Sequence, residues 1–218
     1  CVTLLEKFRP HGAAQDYLFL LTAKLEWCVL AFDPASRKIL TKARGVASSS
    51  MQVLHSETEP MGGVDPSARC IGVHVAAGML KVVPVNASGK MGSSFDARME
   101  ELHFSDMTFL AGCACPTLCV LYEDSMLYAN ETHRPRIKVY RVNLRDKALV
   151  AGTMNAEVAV IMSDGEEEGT GVAADPVASV HVAEIGASML VPVPLPRGGV
   201  LVLGVQTISY YSVLEPSG

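Results

Sequence analysis

The sequence predicts an all-β chain made of successive small four-stranded sheets, the arrangement of a partial β-propeller. Three observations predict it. Apolar runs of strand length recur through all 218 residues, and none carries the spacing of an amphipathic helix. The runs fall into three groups of four and one of three, at intervals near the ~40–50 residues of a propeller blade. Finally, one group hands over to the next without a helix. Phe95-Asp96-Ala97-Arg98-Met99 alternates apolar and polar like a strand with one buried face, Glu100 and Glu101 interrupt it, and a new apolar run opens at 103–110. A sandwich of similar strand count is the competing architecture, and the grouping in fours favours the propeller.

The first group has strands at 2–8, 17–24, 28–33 and 39–44. Leu25-Glu26-Trp27 is short enough to be a hairpin connection, and Asp33-Pro34-Ala35-Ser36 is a turn. Residues 47–60 have no period and read as a surface loop. The second group spans 62–99, with Asp65-Pro66-Ser67-Ala68 repeating the turn chemistry and Ala77-Gly78 closing a hairpin. The third spans 104–160. Its run 117–123 is almost wholly apolar, which suits a strand covered on both faces, and 124–135 reads as an inserted loop. Residues 162–171 are acidic and Gly-rich, the composition of a solvated mobile loop. The fourth group, 188–212, has three strands, turns at 194–199, and lacks a fourth strand. An arc of blades without ring closure leaves apolar faces bare. At ~25 cal/mol per Å² such a face forfeits several kcal/mol.

Composition narrows the function classes. Hydrophobic residues make up 49% and charged residues 19%, which is a core-forming chain. A net charge of −5 without clustered Lys and Arg argues against direct contact with nucleic-acid phosphates. No apolar run approaches the ~20 residues of a membrane-spanning helix. The chain opens at Cys1 inside a strand-like run, which predicts a segment of a longer polypeptide. Six dispersed cysteines read as reduced thiols of an intracellular protein, and the sequons at Asn86 and Asn130 as chance matches.

Cys113, Cys115 and Cys119 have C-x-C-x3-C spacing without a second knuckle, so they read as buried or turn thiols and no zinc site is assigned. His11, His55, His74, His103, His133 and His181 show no pairing with a nucleophile and a carboxylate. Gly62-Gly63 and Gly198-Gly199 fit tight turns better than phosphate loops. Glu100 and Glu101 are adjacent on a strand end, so they point to opposite faces and cannot act as an acid pair. The reading is a non-enzyme with no cofactor and no small-molecule substrate.

The wording of the chain then resembles one family. Phe8-Arg9-Pro10, LFLLTAK at 18–24, Ala43-Arg44-Gly45, Ser56-Glu57-Thr58 and Asp65-Pro66 are similar to the damaged-DNA-binding protein 1 family. So are Ile71-Gly72, Lys81-Val82-Val83-Pro84, RMEEL at 98–102, FLAGC at 109–113, Pro116-Thr117 and Leu121-Tyr122. The likeness covers 2–150 and resumes over 187–210, skipping the acidic stretch and the loop 128–134. It implies part of the first of three seven-bladed propellers, with the last blade here incomplete. It further implies an adaptor of cullin-4-type RING ubiquitin ligases that docks WD40 substrate receptors, with a link to DNA-damage recognition and repair. The cullin would bind outside this segment, DNA would be reached only through a partner, and the location would be the nucleus and also the cytoplasm. Two sister families imply the alternative, an RNA-processing scaffold: the large subunit of the cleavage and polyadenylation specificity factor, and a splicing factor 3b subunit. For partner contact the candidates are the loop 48–59, Glu57 in particular, and Arg98, Glu100 and Glu101, read as exposed.

Overall fold

The first sheet forms because its turns are written into the chain. The computed structural model describes residues 1–47, 60–102, 104–123, 135–161 and 177–214. In it β1 (Val2–Phe8), β2 (Tyr17–Thr22), β3 (Glu26–Asp33) and β4 (Lys38–Val46) pair antiparallel in sequence order. At the β3–β4 turn the backbone N–H groups of Ala35 and Ser36 and the Ser36 hydroxyl all donate to the Asp33 carboxylate. This is the local bonding that makes Asp a turn residue. The β2–β3 link lies two residues earlier than the sequence alone predicts. Leu25 sits in the left-handed region at φ 59°, β3 starts at Glu26, and Trp27 is a buried strand residue instead of part of a connection. Its ring lies over Gly45, directly opposite in register, where a Cβ would come within 2.5 Å of ring carbon Cζ2.

The second sheet repeats the plan with β5 (Met61–Val64), β6 (Cys70–Ala76), β7 (Met79–Pro84) and β8 (Phe95–Arg98), again in sequence order. Its first turn is the Asp65-Pro66-Ser67-Ala68 signal. There Arg69 reaches Asp65 through Nε at 2.7 Å and Nη2 at 2.9 Å, a two-pronged pair on a buried carboxylate. Phe19, Leu21, Trp27 and Val29 of the first sheet pack with Ile71, Val73 and Val83 of the second in one core. The Phe19 and Trp27 rings stack at 6.1 Å.

The third sheet has β9 (Phe104–Phe109), β10 (Thr117–Glu123), β11 (Pro135–Asn143) and β12 (Ala148–Ala151) in sequence order. In keeping with its apolar run, β10 is buried at every residue from Thr117 to Tyr122. A fifth strand, β15 (Val180–Val182), pairs β11. The fourth sheet holds β14 (Val177–Ala178), β13 (Thr153–Ile161), β18 (Thr207–Leu214), β17 (Val200–Leu203) and β16 (Met189–Pro192), in that order. Here the structure departs from the sequence expectation. Residues 153–161 join the fourth sheet, not the third, and the place beside β18 is filled. Strand-forming pattern is local and identifies β13; the edge it pairs with is a non-local choice that the pattern does not encode.

The third and fourth sheets share a second core of Leu121, Ile137 and Val139 with Leu190, Val200, Val202 and Tyr211. The Leu190 N–H donates to Asp106 on β9 at 2.7 Å, and His181 Nε2 lies 3.1 Å from the Met154 carbonyl. By packing, the chain forms two compact units, 1–102 with 144–148 and 103–143 with 149–218. Among the described residues there is no helix, and so none long and apolar enough to cross a membrane. The acidic run 162–171, most of the inserted loop 124–135, and His55, His103 and His133 lie outside the described residues.

Candidate interaction surface

Of the four residues that the sequence puts forward for partner contact, the structure brings two to an accessible place. Arg98 ends β8, the edge strand of the second sheet, and is exposed; Glu100 is exposed at the bend beyond it. Directly opposite Arg98 is Met79, which is 39% exposed, and Leu102 lies over the Gly78 turn at 42%. Next along the same edge, Lys81 Nζ meets Asp96 Oδ1 at 2.6 Å. The result is a sheet edge of alternating charge with two apolar side chains at one end. Charge on an edge strand discourages indiscriminate strand pairing, and the apolar end supplies contact area.

Glu101 is a correction. The sequence reads it as exposed, and it is buried, at 6%. β8 stops at Arg98 and the chain bends at Glu100, so the period-2 rule that sorts residues by face no longer applies at 101. Glu57 lies outside the described residues.

A second surface escapes residue-level sequence reading. On the face of the first sheet turned away from its core, Leu5 stands opposite Leu20, Leu20 opposite Cys28, Leu18 opposite Leu30 and Phe32 opposite Ile39. Phe32 is 50% exposed and Ile39 69%, while Cys28 and Leu30 are half-buried. The signal is present in the chain: LFLL at 18–21 and WCVLAF at 27–32 are apolar on both faces, not alternating. Around this face the polar groups are ordinary surface pairs. Arg9 Nε donates to Asp16 at 2.7 Å and holds its carboxyl below the usual carboxylate range. Partial burial pushes the Glu6 carboxyl up.

The groups with reactive chemistry are placed as structural ones. Cys119 and Cys70 are buried, and burial drives both thiols far above the ordinary thiol range, the opposite of an activated nucleophile. None of the six cysteines is in a disulfide. His74 is buried within β6, and His181 packs edge-on against the Tyr211 ring at 5.4 Å. Among the described residues no three His, Cys, Asp or Glu side chains gather as a metal site would require. What the geometry offers is edge and face area for binding.

Comparison with known proteins gives this arrangement a family. The family model described as RSE1/DDB1/CPSF1 first beta-propeller matches residues 1–217. The chain belongs to this family. The resemblance carried by the motifs between Phe8 and Tyr122 is borne out, and so is the all-β fold of four-stranded propeller sheets. DNA damage-binding protein 1a of Arabidopsis thaliana is 37% identical over 211 residues, covering 97% of this chain and 16% of the relative. DNA damage-binding protein 1b of the same plant is 36% identical with the same coverage. DNA damage-binding protein 1 of Oryza sativa subsp. japonica is 35% identical over 209 residues, 96% of this chain and 16% of the relative. The propeller chain thus spans 16% of the length of these curated relatives.

Proposed function

We propose that this chain is the protein-binding part of an adaptor in a cullin-4-type RING ubiquitin ligase, docking WD40 substrate receptors in the service of DNA-damage recognition and repair. The observation that supports the reading is the match of residues 1–217 to the first-propeller family, together with relatives named DNA damage-binding protein 1. On this reading the chain works by contact and carries out no reaction. Cullin contact belongs to parts outside the segment, DNA is reached through a receptor, and the setting is the nucleus and the cytoplasm. Arg98 and Glu100 at the outer edge of the second sheet are the contact residues we assign to it, with Met79 and Leu102 as apolar support.

The family description also covers RSE1 and CPSF1, which keeps an RNA-processing scaffold as the second reading. The names of the relatives favour the ligase adaptor. Affinity capture of the full-length protein decides between them. Recovery of a cullin with WD40 proteins is the expected result; recovery of polyadenylation or splicing factors alone would end the proposal.

A further inference from the structure

We infer that Cys113 and Cys115 are a modification site, a thiol pair that a small-molecule disulfide such as oxidised glutathione closes reversibly into a Cys113–Cys115 bridge. The two thiols sit in the connection from β9 to β10, residues 110–116, with Ala114 between them. Both are half-buried, whereas Cys70 and Cys119 are buried within β6 and β10. Cys1 flanks β1 and Cys28 lies in β3, so neither shares this turn. The covalent chain keeps the pair within reach. Two residues of fully extended backbone span at most about 7 Å, and here the backbone bends at Ala114 and Cys115, which draws the two Cα atoms closer. Disulfides form at Cα separations of about 4.4–6.8 Å.

The turn around the pair is held on both shoulders. The Leu110 N–H donates to the Thr117 carbonyl at 2.9 Å and the Val142 N–H to the Pro116 carbonyl at 2.8 Å. The Thr117 hydroxyl donates to the Cys115 carbonyl at 3.0 Å. Gly112 is left-handed at φ 84°, and a Cβ there would come within 2.6 Å of Leu195. Cys113 packs against the core shared by the third and fourth sheets. Anchoring both thiols in one fixed turn makes the closing step intramolecular. The bridge forms in two exchanges. One protein thiolate attacks a sulfur of oxidised glutathione, forming a mixed disulfide and releasing one glutathione, which takes up a proton. The second protein thiolate attacks the protein sulfur of that mixed disulfide and releases the second glutathione. The protein thiols give up two electrons and two protons, and glutathione gains both. A bridge across so short a span, half open to solvent, is readily reduced, so excess reduced glutathione resets the pair. Its output is the loop 194–199, because Leu195 rests on Gly112 and Gly198 lies beside the Ala111 carbonyl. That loop presents the exposed Arg197, whose guanidinium lies 4.6 Å from the centre of the Tyr210 ring.

The test incubates the folded 218-residue chain in mixtures of oxidised and reduced glutathione, blocks the remaining thiols, and maps the cysteines by mass spectrometry. In oxidising mixtures the peptide that holds Cys113, Cys115 and Cys119 should be lighter by two hydrogens and carry no glutathione. Only Cys119 on it should take an alkylating agent after unfolding. Excess reduced glutathione should restore all three thiols. A lasting glutathione adduct at Cys113 or Cys115, a bridge from either to another cysteine, or two thiols that stay reduced throughout would each overturn the inference. Cys115→Ser removes the thiol that resolves the adduct, so the mixed disulfide at Cys113 should persist at least about tenfold longer than in the unsubstituted chain. Equal lifetimes would also overturn it, and the mapping of the unsubstituted chain does not depend on whether this variant folds. Hydrogen exchange reads the output. The amides of the turn and of the loop 194–199 should differ in protection by about threefold or more between the bridged and reduced forms, and identical exchange would remove the switch.

Discussion

The first and second sheets share one core yet treat their strands differently. In β6 every residue from Cys70 to Val75 is buried. In β3 burial alternates: Trp27, Val29 and Ala31 are buried, whereas Cys28 and Leu30 are half-buried and Phe32 is half exposed. Both strands are apolar over most of their length, so hydrophobicity alone does not separate them. Among the described residues the first sheet carries the side chains of a doubly covered strand but is covered on one face only. Its other face carries the same kinds of side chain as a core, the bare apolar face that an arc of blades without ring closure leaves.

Large-to-small substitutions probe this most strongly. Phe19→Ala, from the shared core, should cost about 3–5 kcal/mol in chemical denaturation. Phe32→Ala, on the free face, should stay within about 1 kcal/mol. Equal losses would mean that both faces are core and would break the comparison. Next is Gly45→Ala, which drives a Cβ into the Trp27 ring and should cost about 1–3 kcal/mol through overpacking. A neutral result would show that the ring has room to move. Asp96→Asn comes third. It leaves the buried Lys81 ammonium with a weaker partner, and because the Asp96 side chain is 42% exposed the loss should be only about 1 kcal/mol.

Much of this architecture is legible in the sequence because the deciding signals are local. The Asp33 and Asp65 turns come from side-chain bonding within four residues, β8 from its alternation, and β10 from an unbroken apolar run. What the sequence hides is non-local. No period in 153–161 says that β13 will pair β18, and no pattern beyond the end of β8 says that Glu101 turns inward. The two apolar runs around Trp27 look separable in sequence, which assigns it to a connection; the left-handed Leu25 ends the turn two residues earlier and returns Trp27 to the strand. The contact residues are the least legible. Exposure of Arg98 is encoded by alternation, but the apolar face around Phe32 depends on what does not cover it.

The smallest effects are in pH. Asp16 is held low by the Arg9 hydrogen bond, so its contribution is present above the ordinary carboxylate range and is lost as pH falls through its lowered pKa. Glu6 has the opposite sign. Burial raises its pKa, so its contribution is present below the ordinary range and disappears as pH rises through the raised value. Glu6→Gln should therefore stabilise slightly near neutrality, and Asp16→Asn should flatten the acid limb of the stability curve. Urea melts between the acid and neutral ends check both directions, and reversed signs would remove the electrostatic account of this sheet.

The most direct measurement is thiol alkylation under native conditions, monitored residue by residue by mass spectrometry. Cys28 lies on the free face of the first sheet and Cys70 inside the second. If one face of the first sheet is open, Cys28 should react at least ~100-fold faster than Cys70, whose labelling should wait for unfolding. Matching slow rates at the two thiols would show that the face is closed and contradict the account.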